Sequence, residues 1–294
     1  MDWDQRDHAA DWLLFPDNMG SYLSIDETAL SFDELYTIVT NKAGKGQSGS
    51  IVAIIKGTQS EKVIDILKKL PEIKRKQVKE VTLDMAANMQ LIVKRSFVHA
   101  QIVIDRFHVQ KLVSEALQDI RIDLRWQAID QENKEMELAK EIQTDYQPEL
   151  LENGESRKQL LARSRYLLFK TEDKWTPNQN QRAEVLFKWY PQLKTAYELS
   201  MGLRHIYHSV KNKTIALTRL AHWYEKVEQA GFEQFNTAKR SIAAHYQYII
   251  NYFDNRSTNA SAESFNAKIK AFRAVLRGVN HIPYFLFRLK NIYA

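Results

Sequence analysis

There is no cysteine among the 294 residues, and only nine glycines and six prolines. Without cysteine the chain has no disulfide scaffold, thiolate zinc site or cysteine nucleophile, so any metal must be held through oxygen or imidazole. Nine glycines is about half of ordinary usage, which leaves few tight hairpins and points to much helix. No run approaches the roughly 18 uncharged apolar residues of a membrane span. The acidic opening MDWDQRDHAADW has neither the basic start nor the apolar run of a signal peptide. The expected address is the cytoplasm, with no membrane partner.

What the chain does have is 44% hydrophobic residues, enough to bury a core in one large or two modest domains. It carries 42 Lys and Arg against 36 Asp and Glu, a net charge of +6. That excess is segregated. The segment Arg256 to Ala294 holds seven basic residues (Arg256, Lys268, Lys270, Arg273, Arg277, Arg288, Lys290) and one acid, Glu263, so everything before it is neutral on balance. A single-sign patch suits a polyanion such as nucleic acid, although charge alone does not separate that from a solvated helix face.

Short β-branched runs in SYLSIDETALSF, ELYTIVTNK, SGSIVAIIKG and VKEVTLDM read as strands, with NKAGKGQSG at 41–49 as a hairpin loop. Val63, Ile64, Leu67 and Leu70 share one helical face, with Ser60 as the expected N-cap. A helical stretch from Ala86 to Phe97 leads to the apolar run Ile102 to Ile104, the pattern of a strand covered on both faces. From Gln110 to Phe253 strand-like runs vanish, and five or six helices are expected with breaks near 152–156, 175–178 and Pro191. The final helix is too short to fold alone and needs a sheet beneath it. The expectation is therefore an α/β core interrupted by an all-α insertion. Its boundaries are a short extension over 1–20, the first part of the core over 21–109, the insertion over 110–255 and the last part over 256–294.

Three carboxylates occupy positions where sites form: Asp26 after Tyr22-Leu23-Ser24-Ile25, Asp84 after Val81-Thr82-Leu83, and Glu263 in the first turn of the basic helix. Asp105 and His108 follow the Ile102 to Ile104 strand directly. On the last helix Glu263, Asn266 and Lys270 fall at i, i+3 and i+7, and Arg273 and Arg277 continue that face. The apolar positions Phe265, Ile269, Phe272, Val275, Leu276 and Val279 are offset from it and are expected on the sheet. Trp175, in KWTPNQ, is expected in a core, with base stacking as the sharper alternative.

In these segments, IDET at 25–28, TLDM at 82–85, VIDRFHV at 103–109 and SAESFNAKIKAFRAVLRGV at 261–279, the chain resembles the Asp-Asp-Glu (DDE) transposases of bacterial insertion sequences, of the ISL3 family. The resemblance runs from about Tyr22 to the end. It implies a ribonuclease-H-like mixed sheet flanked by helices, with the all-α insertion before the last catalytic helix. It makes Asp26, Asp84 and Glu263 the catalytic and metal-binding acids of a two-metal Mg²⁺ or Mn²⁺ site. Asp105 and His108 match the (Cys or Asp)-x-x-His motif that follows the second acid, and are expected to support the site together with Asn266, Lys270, Arg273 and Arg277.

The implied activity is hydrolysis of DNA at element ends and transfer of the 3′-hydroxyl to target DNA. The implied partners are element-end and target DNA and further copies of the chain. Family members generally carry an N-terminal zinc-binding and helix-turn-helix region, and about 20 cysteine-free residues precede the first expected strand. The expectation is therefore that end recognition either resides in a separate helix-turn-helix protein or is missing. The competing expectation is a catalytically silent DNA-binding or oligomerisation module.

Overall fold

The computed structural model describes residues 3–31, 34–275 and 281–294. It divides into two compact units, one made of Met1–His108 with His245–Ala294 and the other of Val109–Ala244.

The described residues of the first unit form a six-stranded mixed sheet of ribonuclease-H-like type. Its strands are β1 (Trp12–Leu14), β2 (Tyr22–Ser31), β3 (Glu34–Asn41), β4 (Ile51–Lys56), β5 (Glu80–Leu83) and β6 (Gln101–Ile104), in the order β1-β4-β3-β2-β5-β6. From β1 to β2 the pairings are antiparallel; β2, β5 and β6 are parallel. The antiparallel half needs only hairpins. In the β3–β4 loop Gly44 is sterically required, since a Cβ there would stand 2.8 Å from Ser50 Cα. The parallel half needs crossovers, supplied by α1 (Ser60–Leu67) with α2 (Glu72–Lys76) and by α3 (Ala87–Ser96). Gln59 holds the N-cap position of α1 where Ser60 was expected, and the Ser60 hydroxyl donates instead to Asn88 O at 3.4 Å.

Two differences from the sequence reading concern short elements. Residues 12–14, placed in an N-terminal extension, form an edge strand on β4, because Leu13, Phe15, Trp3 and Ala9 are apolar groups that join the core beside it. Residues 246–255, placed in the insertion, form α10 (Tyr246–Ile250) and α11 (Tyr252–Asn255) and cluster with the sheet unit. Asn251 donates to Ile102 O at 2.8 Å, and Gln101 donates to Asp254 at 2.9 Å, which fastens this segment to β6.

The second unit is all helical. It takes most of the 36-residue α4 (Arg106–Glu141), then α5 (Arg157–Arg163), α6 (Pro177–Trp189), α7 (Pro191–Ser209), α8 (Lys213–Ala230) and α9 (Glu233–Ala244). Apolar side chains at helical spacing, such as Ala216, Leu220, Trp223 and Val227 on α8, make its core. Trp175 belongs to that core: its indole N–H donates to Leu167 O at 2.8 Å, and its ring lies 5.5 Å from Tyr197 and 6.2 Å from Phe187.

The chain closes with α12 (Ala260–Val275) and α13 (Ile282–Tyr293). Phe265 and Ile269 of α12 and Phe285, Leu286 and Leu289 of α13 are fully buried in one cluster with Leu13, Ile38 and Ile54. Val275, expected on the sheet, is 77% exposed because α12 has by then run past the apolar strands. Leu276, Arg277 and Val279 lie outside the described residues.

Candidate active site

One row of side chains crosses the sheet on the α12 face. Leu13 pairs with Ile54, Ile54 with Ile38, and Ile38 with Asp26. Beyond β2 the register Ser24 to Thr82, carried two residues on, sets Asp26 beside Asp84; the register Leu83 to Ile104, carried one on, sets Asp84 beside Asp105. Paired residues point to the same side of a sheet. The row is therefore apolar over β1, β4 and β3 and acidic over β2, β5 and β6. Asp84 and Asp105 stand just past the ends of their parallel strands, where α/β proteins keep their sites. Asp26 does not stand at a strand end, as the sequence reading had it. β2 continues to Ser31 because Thr28 and Leu30 are buried alternately with it.

Helix α12 covers this row. Its Phe265 and Ile269 fill the apolar half, and its polar first turns reach the acidic half. Asn266 Nδ2 donates to Asp26 Oδ2 at 2.6 Å, while Asp26 Oδ1 accepts the Glu27 N–H at 2.9 Å. Burial pushes the Asp26 carboxyl above its usual range despite that N–H, and the nearby Asp84 and Glu263 charges push the same way, against His108. Asp84 Oδ1 accepts the Ala86 N–H at 2.8 Å, an Asx turn that ends β5. Glu263, in the first turn of α12, is exposed.

Asp105 is fully buried and both of its oxygens are committed: Oδ1 accepts the Phe107 N–H at 3.2 Å and Oδ2 the Asn259 N–H at 3.1 Å. It thereby joins the end of β6, the start of α4 and the approach to α12. Burial raises its carboxyl as well, opposed by those two N–H groups. One ligand atom each from Asp105, His108 and Glu263 lie within 4.8 Å of one another, a set able to hold a metal ion. The structure thus gathers Asp26, Asp84, Asp105, His108, Glu263 and Asn266. Lys270 is exposed and Arg273 half-buried farther along α12, and neither has a hydrogen bond or ion pair among the described residues. Lys268, by contrast, is used structurally, donating to Gly46 O at 2.7 Å.

Sequence reasoning missed a buried polar group behind the acids. Lys42, just after β3, pairs with Glu80 at 3.0 Å and donates to Thr82; Asn255 donates to the other Glu80 oxygen at 3.1 Å. Burial lowers the Lys42 ammonium, while Glu80 and Asp105 oppose that shift. The available signal was the alternation Glu80, Thr82, Asp84, a polar face in a strand otherwise built of Val and Leu.

A family profile described as "Transposase", that of the ISL3-type DDE enzymes, matches residues 23–289. The chain belongs to the ISL3 family of DDE transposases. It is also similar to the transposase for insertion sequence element IS1001 of Bordetella parapertussis, with 24% identity over 271 residues, 92% of this chain and 60% of that protein. The chain thus spans about three fifths of the length of that curated relative. No solved structure matches it. No described helix is long and apolar enough to cross a membrane.

Proposed function

We propose that this chain is the catalytic part of a DNA transposase, which hydrolyses a phosphodiester at the element end and joins the freed 3′-hydroxyl to target DNA. The observation that carries the reading is the acidic half-row roofed by α12, where Asp26, Asp84 and Glu263 come together from three elements far apart in sequence. These three are the proposed holders of divalent metal. Their donor set is carboxylate oxygen, which suits Mg²⁺ or Mn²⁺. When bound, a metal pair supplies activation of the attacking oxygen and stabilisation of the leaving one.

The chain's own residues do the rest. Asn266 fixes the Asp26 carboxylate through one oxygen. Asp105, which accepts two backbone N–H groups, is the proposed positioning residue between β6 and the approach to α12. Lys270 and Arg273, which have no ion pair among the described residues and lie on the same helix as Glu263, are the proposed contacts to DNA phosphates. A second reading, in which Asp105, His108 and Glu263 bind the metal, is favoured by the closeness of their ligand atoms. We prefer the first because all three of its donors are carboxylates, whereas imidazole is a poor partner for Mg²⁺.

The test is cleavage of plasmid DNA carrying the terminal repeats that flank the coding sequence, with Mg²⁺, Mn²⁺ or EDTA and with or without a helix-turn-helix protein encoded alongside. Metal-dependent nicking lost in Glu263→Gln supports the reading. Binding without nicking under every condition returns the chain to a DNA-binding or oligomerisation module.

A further inference from the structure

Several cations of the helical unit pair with acids. Arg157 meets Glu149 at 2.9 Å, Lys158 meets Glu132 at 2.6 Å, Arg163 and Arg182 share the buried Glu155 at 3.0 and 2.8 Å, and Lys239 meets Glu228 at 2.6 Å. Three of the arginines without an acid partner lie together. Arg121 is only 6% exposed, and its hydrogen bonds go to neutral oxygens, Gln118 Oε1 at 2.7 Å and Leu161 O at 2.9 Å. The same Gln118 donates to Arg165 O at 3.3 Å, which pins the turn after α5 beside Arg121. Arg125 lies one turn farther along α4. Among the described residues none of the three has a carboxylate within 4.0 Å.

Like charges gathered around a buried guanidinium repel, and burying one without a counter-charge is unfavourable. Burial, then Arg165, then Arg125 hold the Arg121 group below its ordinary pKa, and among the described residues no carboxylate within 4.0 Å compensates it. An external anion does, and the guanidinium fork fits a phosphate with two parallel hydrogen bonds. Beside the cluster stands Tyr166, 68% exposed, with the Arg165 guanidinium 5.5 Å from its ring centroid. An exposed ring next to unpaired arginines is the composition of a surface that stacks an unpaired base while holding its backbone.

We propose that Arg125, Arg165 and Tyr166, set over the buried charge of Arg121, form a binding site for single-stranded DNA on the insertion: the arginines take the backbone and Tyr166 stacks a base. The choice of DNA as polyanion rests on the transposase reading; the site itself does not. The test is fluorescence anisotropy of the full chain in EDTA with a labelled oligothymidylate and with a duplex, at several salt concentrations. Arg125→Ala/Arg165→Ala should lower the slope of log affinity against log salt by about 1.4 on the single strand, at about 0.7 per contact. Tyr166→Ala should weaken the single strand about 5- to 150-fold, leave the duplex alone and be rescued by Tyr166→Phe. Circular dichroism confirms that each variant is folded. An unchanged slope, or a Tyr166→Ala loss equal on both DNAs, overturns the site. Binding is read in EDTA, apart from any cleavage, so failure of the parent chain to cleave with this binding intact counts against the catalytic reading alone.

Discussion

The two halves of the sheet face under α12 are built from the same registers and do opposite work. Over β1, β4 and β3 the row is Leu13, Ile54 and Ile38, sealed by Phe265 and Ile269. Over β2, β5 and β6 it is Asp26, Asp84 and Asp105, crowded beneath Glu263 and Asn266. Burial favours the first half through removal of apolar surface from water and penalises the second through lost hydration of charge. One helix covers both, so packing on the apolar side can hold acids together that would otherwise separate. The comparison teaches that stability and chemistry divide along a single cross-strand row.

The largest effect expected from breaking the acidic half is on reaction rate. Asp26→Asn, Asp84→Asn and Glu263→Gln should each reduce metal-dependent nicking to background while DNA affinity, read by anisotropy, stays nearly unchanged. Asp105→Asn should be milder, because its part is to accept two backbone N–H groups and an amide oxygen retains one acceptor. Full loss in Asp105→Asn with activity kept in Asp84→Asn would move the metal to the Asp105, His108 and Glu263 set.

Breaking the apolar half should act on stability instead. Phe265 is fully buried, and Phe265→Ala should lower the unfolding free energy by about 3–5 kcal/mol in urea titration. Activity should fall only as far as the folded fraction falls or α12 shifts. A Phe265→Ala protein as stable as the parent would mean that α12 is not held by this cluster.

A smaller effect separates α12's two ends. Lys270→Ala/Arg273→Ala should weaken duplex binding and lower the log–log salt slope by about 1.8, at about 0.9 per phosphate contact. Neither side chain has an ion pair among the described residues, so thermal stability should move much less than in Phe265→Ala. An unaltered slope would return these two residues to a solvated face.

Much of this division was legible in the sequence, for identifiable reasons. The strands from β2 to β6 and the crossover helices announce themselves by periodicity, since β-branched runs such as IVAII have few other uses in a soluble core. The acids were legible through the motifs around them. What was hidden is pairwise and distant. β1 is three residues long, and only the unfilled side of β4 makes it a strand. The Lys42 and Glu80 pair spans 38 residues of chain, and neither residue signals the other. The saturation of Asp105 depends on the Asn259 N–H, 154 residues away. In the insertion, Trp175 and Tyr166 have similar aromatic credentials, and only packing shows that the first is enclosed and the second exposed.

The central claim is that the acidic half is held together at the expense of the unloaded protein. Burial raises Asp26 above its unfolded value. Its contribution to stability is therefore present at low pH and lost as pH rises through the raised pKa; at neutral pH the ionised group opposes folding. Asn resembles the protonated acid and offers a cation a neutral amide oxygen in place of a charged one. The most direct measurement is the melting temperature of the parent and of Asp26→Asn at neutral pH, each with EDTA and with saturating Mn²⁺. The account predicts that Asp26→Asn melts higher than the parent in EDTA, and that Mn²⁺ raises the parent and not the variant. A variant that melts lower in EDTA and gains as much from Mn²⁺ as the parent would contradict it.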